Sequence, residues 1–102
     1  MGWEDVKQIL GIFKRKPVFV GRYNAAETNT TTKGKEAEVD NTDGTEGIFL
    51  TVGTTKVYIP AGECRRHYFG SFTGFKTEPN TNWSSVDTVN GDGKYEVRIY
   101  DS

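Results

Sequence analysis

Residues 48–59 constrain the fold more than any other stretch of the chain. Ile48–Val52 and Thr55–Ile59 flank Gly53-Thr54, a Gly-X pair suited to the type II′ turn that joins antiparallel strands. Such a turn fixes the register. Val52 then opposes Thr55, Leu50 opposes Val57 and Ile48 opposes Ile59, so every aliphatic residue lands on one face, as burial requires. Phe49 opposes Tyr58 on the other face, with Thr51 opposite Lys56. Turn chemistry and hydrophobic alternation agree, which commits this part of the chain to an antiparallel hairpin.

The flanking segments extend the pattern. Val18–Tyr23 is rich in β-branched and aromatic residues and predicts a strand. The tail reads as a second hairpin over about 86–100, in which Val86–Val89 and Lys94–Tyr100 flank Asn90-Gly91-Asp92-Gly93. Val86, Thr88, Tyr95, Val97 and Ile99 would share a face, leaving Glu96 and Arg98 to solvent. A turn at Ala61-Gly62 places Ile59 opposite Cys64 and Tyr58 opposite Arg65. That register sends Cys64, Arg66 and Tyr68 to the aliphatic face, and Arg65, His67 and Phe69 to the face of Phe49 and Tyr58. Gly70 and Gly74 suggest bends near the end of this strand. Between about 24 and 47 the chain turns polar and predicts a long, mobile excursion, with at most a weak strand at Glu36–Val39. One helix is predicted, over about 2–16. Trp3, Val6, Ile9, Leu10 and Phe13 form its apolar stripe, acids occupy its first turn, bases its last, and Pro17 stops it.

These elements fit a single domain, 1–102. The expected architecture is mainly β: a small antiparallel β-sandwich or partly open β-barrel with one N-terminal α-helix. The chain carries 13 Lys+Arg against 14 Asp+Glu, which removes the broad basic field of most free-standing nucleic-acid binders. No apolar run approaches the ~20 residues that cross a bilayer, and no apolar stretch near the start has the flanks of a secretory leader. A soluble chain is expected, with no compartment indicated. The single Cys64 excludes an internal disulfide framework.

Catalytic chemistry finds no constellation. Cys64 and His67 suit a nucleophile and a base, but three residues apart on a strand they point to opposite faces. One His and one Cys cannot supply a structural zinc site. Asp40, Asp43 and Glu46 around Gly44 depart from the EF-hand spacing and read as a solvated acidic loop. No phosphate-cradling Gly-Lys-Ser/Thr triplet occurs, and no cofactor is expected. The face shared by Phe49, Lys56, Tyr58, Arg65, His67 and Phe69 is the candidate binding surface, because aromatics beside cations suit sugars, nucleobases or a protein hot spot. The sequence therefore points to a non-enzymatic binding or assembly module. It would meet a protein partner, a glycan or a second copy of itself, in a setting such as a virion or cell-surface assembly. The alternative is a nucleic-acid-binding small β-barrel, in which Lys14, Arg15, Lys16 and Arg22 join Arg65 and Arg66.

Overall fold

The computed structural model of the chain describes residues 16–80 and 95–101. Its strands are β1 (Phe19–Tyr23), β2 (Glu27–Asp40), β3 (Ile48–Val52), β4 (Thr55–Ile59), β5 (Cys64–Pro79) and β6 (Tyr95–Tyr100). They form one six-stranded sheet in the order β1-β6-β2-β5-β3-β4, and every pairing is antiparallel. No helix occurs among the described residues. The helix expected over 2–16, apart from Lys16 at its end, and the segment Val86–Val89 lie outside the described residues.

The polar stretch predicted as an excursion is instead the centre of the sheet. β2 spans 14 residues and pairs with β5 along one edge and β6 along the other. Ala37 and Val39 point into the core at 0% exposure, while Glu36, Glu38 and Asp40 alternate to the outside, where arginines of neighbouring strands meet them. A strand this acidic holds a central position because cross-strand partners neutralise it.

β2 and β5 make a long ribbon whose register shifts twice. Asn29 faces Phe75, but Lys33 faces Thr73; Gly34 faces Phe72, but Glu36 faces Tyr68. The first shift leaves extra residues on β2 and the second leaves them on β5, so the original register returns. Gly74 lies at the first shift with φ +83°, and Gly70 at the second with φ +79°. Bulges of this kind bend and twist a sheet. Beyond them the ribbon acquires different neighbours at its two ends. Near residues 36–40 it carries β6 and then β1. Near residues 76–79 it carries β3 and then β4.

The two ends fold toward each other over one core. Ala37, Val39, Tyr95, Val97 and Ile99 from the first end join Ile48, Leu50, Val52, Ile59 and Phe75 from the second in a single buried cluster. Contacts cross between the ends: the Phe19 and Phe75 rings lie 5.8 Å apart, and the Tyr95 hydroxyl meets Thr77 Oγ1 at 2.7 Å. Tyr95 also donates to the carbonyl of Ala25. Burial pushes its phenol pKa up to about 12.

β3 and β4 pair in the register that the Gly53-Thr54 turn dictates, Ile48 with Ile59 through Val52 with Thr55. One other expected pairing does not form. β5 does not pair with β4, because residues 60–63 turn back onto the end of β2 instead. Gly62 N–H donates to the Asn41 carbonyl, and Asn41 N–H donates to the Glu63 carbonyl. The Asn41 side chain, fully buried, donates to the carbonyls of Glu46, Ile59 and Pro60. In the tail, β6 is bonded to β1 on one edge and β2 on the other; the first strand and the turn of the hairpin expected over 86–100 lie outside the described residues. Among the described residues no helix is long and apolar enough to cross a membrane.

Candidate functional site

The six candidate residues fall into two groups. Phe49, Lys56 and Tyr58 lie together on the outward face of the β3–β4 hairpin. Phe49 and Tyr58 are directly opposite each other, their ring centroids 5.0 Å apart and tilted by 50°. The Lys56 ammonium sits 4.8 Å above the Phe49 ring, a cation–π arrangement. Tyr58 is 42% exposed. Its ring rests against the backbone of Gly47, where an added Cβ would come within 2.1 Å of the phenol oxygen. On the next strand, Glu78 lies beside Phe49 and Lys76 beside Thr51, so lysines flank Thr51 on both sides.

Arg65, His67 and Phe69 belong elsewhere, which corrects the expected common face. The expectation rested on β5 pairing with β4. With β5 paired to β2 instead, Arg65 faces Val39 and His67 faces Ala37, so all three take the side that holds the core. Phe69 packs against the core cluster and meets Phe72 edge-on at 5.9 Å. The His67 ring lies 6.1 Å from that of Phe69, tilted by 45°, and its Nε2 is buried with no hydrogen-bond partner among the described residues. Arg65 forms an ion pair with Glu63 at 2.6 Å, both side chains 47% exposed, where such pairs contribute little. Cys64 and Tyr68 also exchange faces relative to the expectation. They lie outside, opposite Asp40 and Glu36, still turned away from His67.

That outside face carries a network absent from the expected site. Arg98 is its hub, accepted by Glu38 and Asp40 at 2.9 Å each and by Glu96. Burial works against its charge, but hydrogen bonds to Glu38, Asp40 and Glu96 outweigh it and hold its pKa above the ordinary arginine value. Arg22 pairs with Glu96 at 3.2 Å and Arg66 with Glu36 at 3.1 Å. Arg66 also lies 3.8 Å over the Tyr100 ring, and Tyr100 donates to Glu38. The Thr42 hydroxyl, then Arg98, hold the Asp40 carboxyl below the usual carboxylate range. Cys64 donates to Glu38 at 3.7 Å, and burial followed by the charges of Glu38 and Asp40 pushes its thiol pKa up, away from nucleophilic character. The alternation of acids along Glu36–Asp40 and Glu96-Val97-Arg98 was visible in the sequence, but their pairing depends on β6 lying beside β2.

Among the described residues no three His, Cys, Asp or Glu side chains converge as metal ligands. No protein-family model matches the chain, no curated protein is detectably similar to it, and no solved structure matches it.

Proposed function

We propose that the chain is a non-enzymatic binding or assembly module, built as a partly open β-barrel, whose contact surface is the outward face of the β3–β4 hairpin. The observation that carries this reading is Tyr58, an exposed aromatic side chain held in place by Phe49 and Gly47 with a lysine alongside. A rigid ring with apolar faces and a polar tip gains contact area at small entropic loss, which is why tyrosine is frequent at protein interfaces. The same ring suits the apolar face of a sugar. Phe49, Lys56 and Tyr58 are thus the contact residues. Arg65, His67 and Phe69 are assigned to the support of the core side.

The test is a melting-temperature screen against protein and glycan panels, run on the full chain and on Tyr58→Ala. A ligand that raises the melting temperature of the natural chain, and fails to raise that of the variant, is the expected result. A shift that survives in Tyr58→Ala would overturn the assignment of the surface. Binding to single-stranded oligonucleotides that weakens steeply with salt and is lost on Arg65→Glu would replace it with the nucleic-acid reading.

A further inference from the structure

Among the described residues, the outer edge of β4 presents unpaired backbone in an unusually regular form. Gly53-Thr54 is a two-residue turn, so its flanking pair, Val52 and Thr55, exchange both backbone hydrogen bonds. Bonding to β3 then recurs at every second residue, through Thr55, Val57 and Ile59. Lys56 and Tyr58 turn their N–H and C=O groups the other way, toward the free edge. β3 is the only strand beside β4 among the described residues.

The other edges are less suited to receiving a strand. β1 has Gly21 at its middle, with the Tyr23 ring folded over it. The start of β5 carries Arg65, Arg66 and His67 in succession, and the first half of β2 is broken by the register shift after Asn29. Charge, irregularity and glycine are the features that blunt an edge. β4 carries one charge and no glycine or proline.

We propose that β4 pairs with β4 of a second copy of this chain, antiparallel about a two-fold axis through Val57, so that two sheets become one. This rests on the reading of the hairpin as the contact surface and names its partner. The sequence Thr55-Lys56-Val57-Tyr58-Ile59 is complementary to itself in this register. With Val57 opposite Val57 of the second copy, Lys56 lies opposite Tyr58 of the second copy, and Tyr58 opposite its Lys56. Those are the residues whose backbone groups point outward, so each such pair exchanges both hydrogen bonds. On the outward face each ammonium gains the other copy's phenol ring, extending the Phe49–Tyr58 aromatic pair across the junction. On the inward face the half-buried Val57 is covered by its counterpart. The interface is isologous and uses up the edge, so growth stops at the dimer. One strand edge buries less than the roughly 1,000 Å² of a stable interface, so the dimer is weak and concentration-dependent.

The experiment is sedimentation equilibrium on the full chain over a concentration series reaching millimolar, with melting curves to establish folding. The natural chain is expected to dimerise. Lys56→Pro removes a donor from the outward edge and none from the β3 ladder, and should raise the dimer Kd about thirtyfold, whereas Lys56→Ala should raise it only about fivefold. Tyr58→Lys sets like charges opposite each other and should weaken the dimer as much as Lys56→Pro, with recovery in the Lys56→Glu, Tyr58→Lys double variant. That second route serves if the proline variant does not fold. A chain that stays monomeric at millimolar concentration, yet shows a Tyr58-dependent ligand shift, overturns the dimer and leaves the contact-surface reading intact. A dimer indifferent to Tyr58→Lys and Lys56→Pro overturns the pairing. A monomer with no ligand response overturns both.

Discussion

The sheet has two outward regions rich in charge and aromatic rings, and they are in opposite states. On the β1-β6-β2-β5 side, Arg22, Arg66 and Arg98 are engaged by Glu96, Glu36, Glu38 and Asp40, and the Tyr100 ring lies under Arg66. On the β3–β4 side, Lys56 has a ring beneath it and no ion pair among the described residues, and Tyr58 faces solvent. A partner approaching the first region must displace interactions already made and desolvate charges that have partners. On the second it displaces water. What marks a contact surface is therefore not how many charged and aromatic residues it contains but whether the fold has already satisfied them.

Both regions exist because the β2–β5 ribbon bends, so the largest expected effect lies at the bend. Gly74→Ala introduces a Cβ 2.4 Å from the Asn29 carbonyl oxygen at φ +83°, and that neighbour is backbone with no rotamer to move. A loss of about 3 kcal/mol is expected in urea unfolding. Gly70→Ala has a similar φ of +79° and nothing within 4 Å of the added carbon, so about 1 kcal/mol is expected. Equal losses would mean that the close approach at Gly74 has no part in the bend.

Next in size is the hub of the network. Arg98→Leu leaves Glu38, Asp40 and Glu96 clustered without their shared cation. The side chain is 26% exposed, so the loss should fall below that of a fully buried pair, at about 2 kcal/mol. Lys56→Leu on the other region should stay within about 0.5 kcal/mol. If the two substitutions have the same effect, the contrast between a satisfied and an unsatisfied surface is broken.

Acid titration sharpens the same contrast. Asp40 has its pKa lowered by the Thr42 hydroxyl first and by Arg98 after it. A carboxyl whose folded pKa is lowered contributes stability that is present above the unfolded value, near 3.8, and is lost as pH falls through the folded value. Thr42→Val should remove the 2.7 Å hydrogen bond from Thr42 Oγ1 to Asp40, lower stability at neutral pH by about 1 kcal/mol, and flatten the fall of stability below pH ~4. Urea midpoints measured across that pH range check it. An unchanged slope would place the acid sensitivity on another carboxylate.

Local chemistry was legible and long-range order was not. The β3–β4 register could be read because one two-residue turn and one alternation of aliphatics point to the same pairing. The inward set Tyr95, Val97 and Ile99 was legible from period two alone. β2 was missed because its signal is carried by cross-strand partners: Glu38 and Asp40 look like loop residues until Arg98 lies beside them, 58 to 60 positions away in sequence. The candidate surface divided for the same reason. Pro60–Glu63 resembles a hairpin turn, but the fully buried Asn41 side chain captures the carbonyls of Ile59 and Pro60 and redirects the chain to β2. That single asparagine separates Arg65, His67 and Phe69 from Phe49, Lys56 and Tyr58.

A small expected effect on stability also tests the contact surface most directly. Tyr58→Ala removes an aromatic pair with Phe49 that is worth about 0.5–1 kcal/mol. The ring is 42% exposed, so its removal admits water and leaves no cavity, unlike truncation within the core. Phe49 keeps the cover of Lys56, and the aliphatic register of the hairpin is untouched. A fall of only a few degrees in melting temperature is therefore expected, together with loss of the response to a partner. A large fall, comparable with that of Arg98→Leu, would mean that the Tyr58 ring serves the fold as Arg98 does, and the two regions would no longer differ in kind.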